Sequence, residues 1–217
     1  MRIIDRRGAL LRLGALAAAC CLPARAWAGA PFDIAQLMQA LAQVRSGTAR
    51  FVEKRSVSVL ERTLESSGLL SFEAPDTFVR ETLKPRQERI AIVGNQLTLS
   101  QGQRSRTVPL DSVPEASLLM EAVRGTLTGN LRALERNFSV TASGTMQRWS
   151  LDLVPRESRL RELVISVRVV GEQVALREVT LALADGDRSV MTIEPAAAPE
   201  PSVAAASAVP RSASAAR

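Results

Sequence analysis

Four carboxylates, Glu53, Glu73, Asp76 and Glu81, fall in strand-like segments. Two carboxylates on one sheet face could share general acid and base work. Nothing beside them completes such a site. Both cysteines, Cys20 and Cys21, lie near the start of the chain, and there is no His and no Tyr anywhere. An imidazole base is therefore excluded, and beyond residue 21 so are a thiol nucleophile, a disulfide and a Cys/His metal site. No G-x-S-x-G, S-x-x-K or Gly-rich phosphate loop is present. The carboxylates read as exposed strand charge, and the sequence predicts no enzyme, no catalytic residue, no metal and no cofactor. A secreted lipid hydrolase would need a base that this composition nearly excludes.

The chemistry, if any, must come from apolar surface, so the question moves to the elements that position it. Met1 to Ala28 has a basic start (Arg2, Arg6, Arg7), the apolar run "ALLRLGALAAACCLP" and the small-residue site "AWA". This is the pattern of a cleaved secretory signal peptide, which implies export from the cytoplasm. Arg6-Arg7 raises a twin-arginine route, but the flanking residues of that signal are missing and the general secretory route is expected. Lipid attachment at Cys20 is disfavoured, since Ala17 stands where a larger aliphatic is usual. Pro195 to Arg217 is almost wholly Ala, Pro and Ser, a composition that cannot offset its ordering entropy, so a disordered tail is expected. Residues 29–194 remain as one domain with a core.

The sequence pI of about 10.7 suggests a polyanion partner until the charges are located. Of 28 basic and 22 acidic residues, five arginines and one aspartate fall in the leader, leaving 23 against 21. That balance, with Arg and Glu alternating along the strands, predicts a solvated face and no nucleic-acid partner.

Residues 32–45, "FDIAQLMQALAQVR", place Ile34, Leu37, Met38, Leu41 and Val44 on one stripe after Asp33, predicting an amphipathic helix that ends near Gly47. From Ala49 the period changes to two. Phe51, Val57 and Val59 share a strand face, as do Leu64, Leu70 and Phe72, and Phe78 returns with Arg80 and Thr82 after the Pro75-Asp76 turn. "RIAIV", "QLTLS" and "RSRTVPL" follow as hairpins about Gly94-Asn95 and Gln101-Gly102. Ser112-Val-Pro-Glu115 reads as a capping box opening a helix with Leu118, Leu119, Val123 and Leu127, and Asn130 can cap a second helix bearing Leu131, Leu134 and Phe138. Strands resume at "MQRWSLDLV", then "LRELVISVRVV", in which Leu163, Ile165, Val167 and Val169 alternate, "VALREVTLAL" and "DRSVMTIEP". About eleven antiparallel strands and three helices make a mainly β chain with α (α+β), in which a long curled sheet is covered by helices. Its interior is either filled by large side chains or left as an aliphatic cavity. Aromatics are only 3% of residues, which leans weakly toward the cavity.

The order of "ARFVEKR", "SSGLLSFEAPDTFVRETLKP", "GNQL", "VPLDSVPEASLLMEAVRGTLTGNLRALERNFSV", "WSLDLVP" and "DGDRSVMTI" resembles the LolA-like periplasmic lipoprotein carriers from Phe32 to Glu194. The resemblance implies an unclosed antiparallel β-barrel with a helical lid, and carriage of an acylated lipoprotein or lipid from an inner-membrane release complex or exporter to an outer-membrane acceptor, as a monomer. General carriers hold the lid with a basic residue just before the turn proline. Here Ala74 stands there, so the chain resembles divergent members that handle a different acylated or glycolipid cargo.

On that likeness the acyl cavity is expected to be lined by Leu70, Phe72, Phe78, Ile90, Ile92, Leu97, Leu99, Trp149, Leu151, Ile165, Val167 and Met191, with Leu119, Val123 and Leu127 from the lid. Arg80 and Arg89 are expected at its rim. The other reading is a regulatory module of the same fold that senses stray lipid or lipoprotein without passing it on.

Overall fold

The computed structural model describes residues 32–60 and 62–196. The leader and all but the first two residues of the tail lie outside them. The chain opens with helix α1 (Ile34–Leu41), whose first turn is capped by Asp33 accepting from the Ala35 amide at 2.8 Å. Strands β1 (Ser46–Val57), β2 (Arg62–Glu73), β3 (Thr77–Lys84), β4 (Glu88–Val93), β5 (Gln96–Gln101) and β6 (Arg104–Pro109) follow. Helices α2 (Pro114–Leu127) and α3 (Leu131–Asn137) interrupt them. The second run is β7 (Phe138–Gly144), β8 (Trp149–Pro155), the one-turn helix α4 (Ser158–Arg161), β9 (Val164–Glu172), β10 (Ala175–Leu183) and β11 (Arg188–Pro195).

All eleven strands form one antiparallel sheet in the order β6-β5-β4-β3-β2-β1-β11-β10-β9-β8-β7. Each run is a meander, and pairing of β1 with β11 welds the two halves. Edges β6 and β7 stay apart, so the sheet is not closed into a barrel.

Residues paired directly across an antiparallel ladder share a face, so the register identifies the helix-facing side. One row runs Phe72, Phe78, Ile92, Leu97 and Val108; the next runs Leu70, Arg80, Ile90, Leu99 and Arg106. In the other half Met191 pairs with Val179, Val179 with Val169, Val169 with Leu151, and Gly171 with Trp149. Trp149 needs the glycine opposite it, because a Cβ at Gly171 would come within 2.2 Å of the indole ring.

Local differences from the periodicity have local causes. α1 stops at Leu41, and the backbone turns through Ala42 and Gln43 to free Ser46 for the sheet. Ser112 does not cap α2: its hydroxyl donates to the Pro109 carbonyl at 2.6 Å, closing a short 3-10 turn, and Val113 takes the cap position before Pro114. Asn130 does cap α3, accepting from the Ala133 amide at 3.0 Å. A register shift between Ala182 and Leu183 opposes Val164 to Leu183, so the inward parity passes from Val167 to Val164 and Ile165 is left outside, 53% exposed.

Apolar burial separates into two clusters. The larger joins Leu37, Met38 and Leu41 of α1, Leu118 and Ala122 of α2 and Leu134 of α3 to Trp149, Leu151, Leu153, Val164, Val167 and Val169 of β8 and β9. The smaller comprises Phe72, Phe78, Ile92, Leu97 and Leu110, with the Phe72 and Phe78 rings stacked at 5.0 Å. Leu127 packs against both.

Candidate acyl-binding face

Eleven of the twelve strand residues expected to line a cavity share the helix-facing side, but they fall into two environments. Trp149, Leu151 and Val167 are at most 1% exposed, sealed by three helices inside the larger cluster, and Met191 packs beside them. This is solid core: a buried aliphatic with helices on it offers no room without unfolding. Phe72, Phe78, Ile92 and Leu97 belong to the smaller cluster, roofed by part-buried side chains of one helix, Ala116, Met120, Val123 and Leu127 of α2. Next to them Ile90 is half-buried and Leu99 is 39% exposed, while Leu70, also half-buried, packs on the larger cluster. Of the lid residues, Leu119 packs on the larger cluster, Val123 on the smaller and Leu127 on both.

The two rim arginines are not brought together. Arg89 points to the opposite side, where it pairs with Glu81 at the surface. Arg80 faces inward, its Nη2 donating to Glu53 Oε2 at 2.5 Å and to Ser66 Oγ at 3.1 Å, while its guanidinium lies 4.7 Å from the Phe51 ring centre. Ser189 donates to the other oxygen of Glu53 at 2.5 Å. This paired group, with side-chain exposures of 28% for Arg80 and 16% for Glu53, was missed as a unit by the sequence. Glu53 and Arg80 are 27 residues apart, and only the β1–β2–β3 register makes them neighbours. The carboxylate is thereby engaged by one cation and two hydroxyls, those of Ser66 and Ser189.

Two clefts stand out among the described residues. One, of about 380 Å³, lies by the β1–β2–β3 ladder and Ala196 and includes Ala49, Leu69, Leu70 and Val79. The other, of about 730 Å³, lies in the helical layer between α2, α3 and Pro75. Neither is lined by Phe72, Phe78, Ile92 or Leu97, which are all buried.

Ala74, at the position where the resemblance leads one to expect a basic residue, packs into the smaller cluster. The polar tie to the lid comes from the helix: Arg124 Nη2 of α2 donates to the Gly94 carbonyl in the β4–β5 turn at 2.9 Å.

Comparison with solved structures finds the LolA superfamily protein NE2245 from Nitrosomonas europaea, 10% identical over 76% of this chain and 94% of that one, with a TM-score of 0.39. LprF from Mycobacterium bovis is 10% identical over 80% of this chain and 99% of its own, TM-score 0.34. The MucA/MucB complex of Pseudomonas aeruginosa matches at 14% over 78% of this chain and 59% of that one, TM-score 0.41. At such distances no activity is carried over from them. A search of curated proteins finds no match. The model of one family, described as outer membrane lipoprotein carrier protein LolA-like, matches residues 26–215, the eleven-stranded open sheet with its helices included, and the chain belongs to that LolA-like family.

Proposed function

We propose that the protein is a periplasmic carrier, without enzymatic activity, that shelters the acyl chains of a lipoprotein or other lipidated cargo on their way from the inner to the outer membrane. The observation that carries this reading is the second apolar cluster. Phe72, Phe78, Ile92 and Leu97 are covered by one helix with part-buried contacts, whereas the larger cluster is closed by three helices. Lifting the Met120 and Val123 side of α2 from Ile92 and Leu97, with Leu118 and Ala122 kept in the larger cluster, would uncover an apolar wall continuous with Ile90 and Leu99.

Energetics suit a carrier. Sheltering a chain of about sixteen carbons is worth roughly 12 kcal/mol against water at about 0.8 kcal/mol per methylene. A bilayer offers nearly the same, so a face that must displace its own lid takes up and releases cargo at modest cost. An inner-membrane donor and an outer-membrane acceptor are the partners this role requires.

The test is native mass spectrometry of protein taken gently from the periplasm, followed by lipid extraction and by transfer of a labelled acyl lipid to acceptor vesicles. Co-purified acylated molecules that move to vesicles are expected. Protein that is always empty and binds no acyl lipid would sink the proposal, and binding without transfer would mark a sensor instead.

A further inference from the structure

The cleft of about 730 Å³ in the helical layer is unused by the proposed acyl path, and its walls are basic. Arg124 enters it from α2, and Arg132 and Arg136 from α3, one turn apart and so on one helix face. Against these three stands one carboxylate, Glu121, which accepts from Asn137 Nδ2 at 2.8 Å. Burial raises the Glu121 pKa, and the nearness of Arg124 and Arg136 only partly offsets this. Among the described residues none of the three arginines forms an ion pair with a carboxylate. Arg124 is anchored beside the cleft by Nη2, which donates to the Gly94 carbonyl at 2.9 Å.

Guanidinium forks match oxyanions with two or more oxygens, and three of them lining one cleft from two helices suit a tetrahedral group better than a flat carboxylate. We infer that the cleft between α2 and α3 is a binding site for a phosphate-class anion, held by Arg124, Arg132 and Arg136. The volume greatly exceeds a bare phosphate, so the anion can enter hydrated or as part of a lipid headgroup. The site stands whether or not an acyl chain occupies the sheet.

Calorimetry on the full chain at low salt tests it with two probes, inorganic phosphate and dihexanoylphosphatidylglycerol below its micelle concentration. Saturable binding is expected in at least one arm, weakened at least about tenfold in R132Q/R136Q, strengthened in E121Q and reduced by added salt. Equal binding in both arms identifies the free anion as sufficient; preference for the lipid identifies a headgroup. Arg132 and Arg136 are exposed, so the double variant is expected to fold, with its melting curve as control. Wild-type protein that binds neither probe, or binding unchanged in R132Q/R136Q, overturns the site. A fluorescent sixteen-carbon acyl probe titrated into the same variants reads the other face. Acyl binding that persists while both anions fail removes this inference and leaves the carrier reading intact.

Discussion

Asp187 shows how one side chain can close a fold whose strands come from opposite ends of the chain. It is 6% exposed, and its carboxylate accepts from the Ser58 amide at 3.0 Å, from Arg55 Nη2 at 3.0 Å and from the Ser58 hydroxyl at 3.2 Å. Asp185 in turn accepts from the Asp187 amide at 2.9 Å, and Gly186 between them has φ +90. The Asp-Gly-Asp sequence is thus a clasp between the β10–β11 hairpin and the end of β1. The Ser58 N–H first, then Arg55, hold the Asp187 carboxyl below its ordinary value of 3.8. A depressed folded-state pKa means that the unfolded chain takes up the proton first as pH falls. The stability is therefore fully present above 3.8 and disappears as pH drops through the lower folded value. Asp187→Ala should lower the melting temperature at pH 7, with the gap to wild type shrinking in strongly acidic buffer. Equal melting at pH 7, or a gap that persists undiminished at pH 2, would contradict the clasp.

At the scale of elements, α2 is the piece on which movement depends. It contributes Leu118 and Ala122 to the larger cluster and Val123 and Met120 to the smaller, and Arg124 ties it to the β4–β5 turn. Removing that tie in Arg124→Met costs one charge-assisted hydrogen bond, about 1.5 kcal/mol or more. Amide exchange across residues 114–127 should then accelerate about tenfold by mass spectrometry, with β8 and β9 unchanged. Equal exchange in α2 would show that packing alone holds it. Much of this was legible beforehand: the stripe of Leu118, Leu119, Val123 and Leu127, the Asn130 cap and the Phe72–Phe78 hairpin all follow from period and turn chemistry. What escaped did so for physical reasons. β7 turns Phe138, Val140 and Ala142 inward and Ser139, Thr141 and Ser143 outward, but Phe138 also continues the helical stripe of Leu131 and Leu134, so the helix reading took it, whereas it begins the strand paired with β8. Ile165 was expected inside because perfect alternation ignores a bulge. α4 lies just before β9, where Leu160 and Leu163 read as part of one long strand. The Glu53–Arg80 pair and the arginine cleft depend on tertiary register, which no local pattern contains.

For the molecule as a whole, the division into two apolar clusters implies that stability and cargo binding can be separated by mutation. Leu151 is fully buried in the larger cluster, surrounded by side chains from helices and sheet. Leu151→Ala should cost about 2–5 kcal/mol, the lost transfer energy plus a cavity that rigid neighbours cannot fill. Leu97, 6% exposed in the smaller cluster, pairs with Ile92 of β4 in a cluster covered by part-buried side chains of α2 and by Leu110. Leu97→Ala removes wall from the proposed acyl path, and α2 can settle into part of the space. Its stability cost should fall at or below the low end of the same range, while affinity for a fluorescent sixteen-carbon acyl probe falls severalfold as apolar contact area is lost. Urea unfolding and probe titration on both variants decide the matter. A carrier that opens under α2 requires the two substitutions to affect different observables: Leu151→Ala mainly the unfolding midpoint, Leu97→Ala mainly the probe. If Leu151→Ala weakens the probe as much as Leu97→Ala under conditions where both are folded, the clusters act as one cavity. The larger cluster would then have to open as well, and the assignment of Trp149, Leu151 and Val167 to a fixed core would be withdrawn.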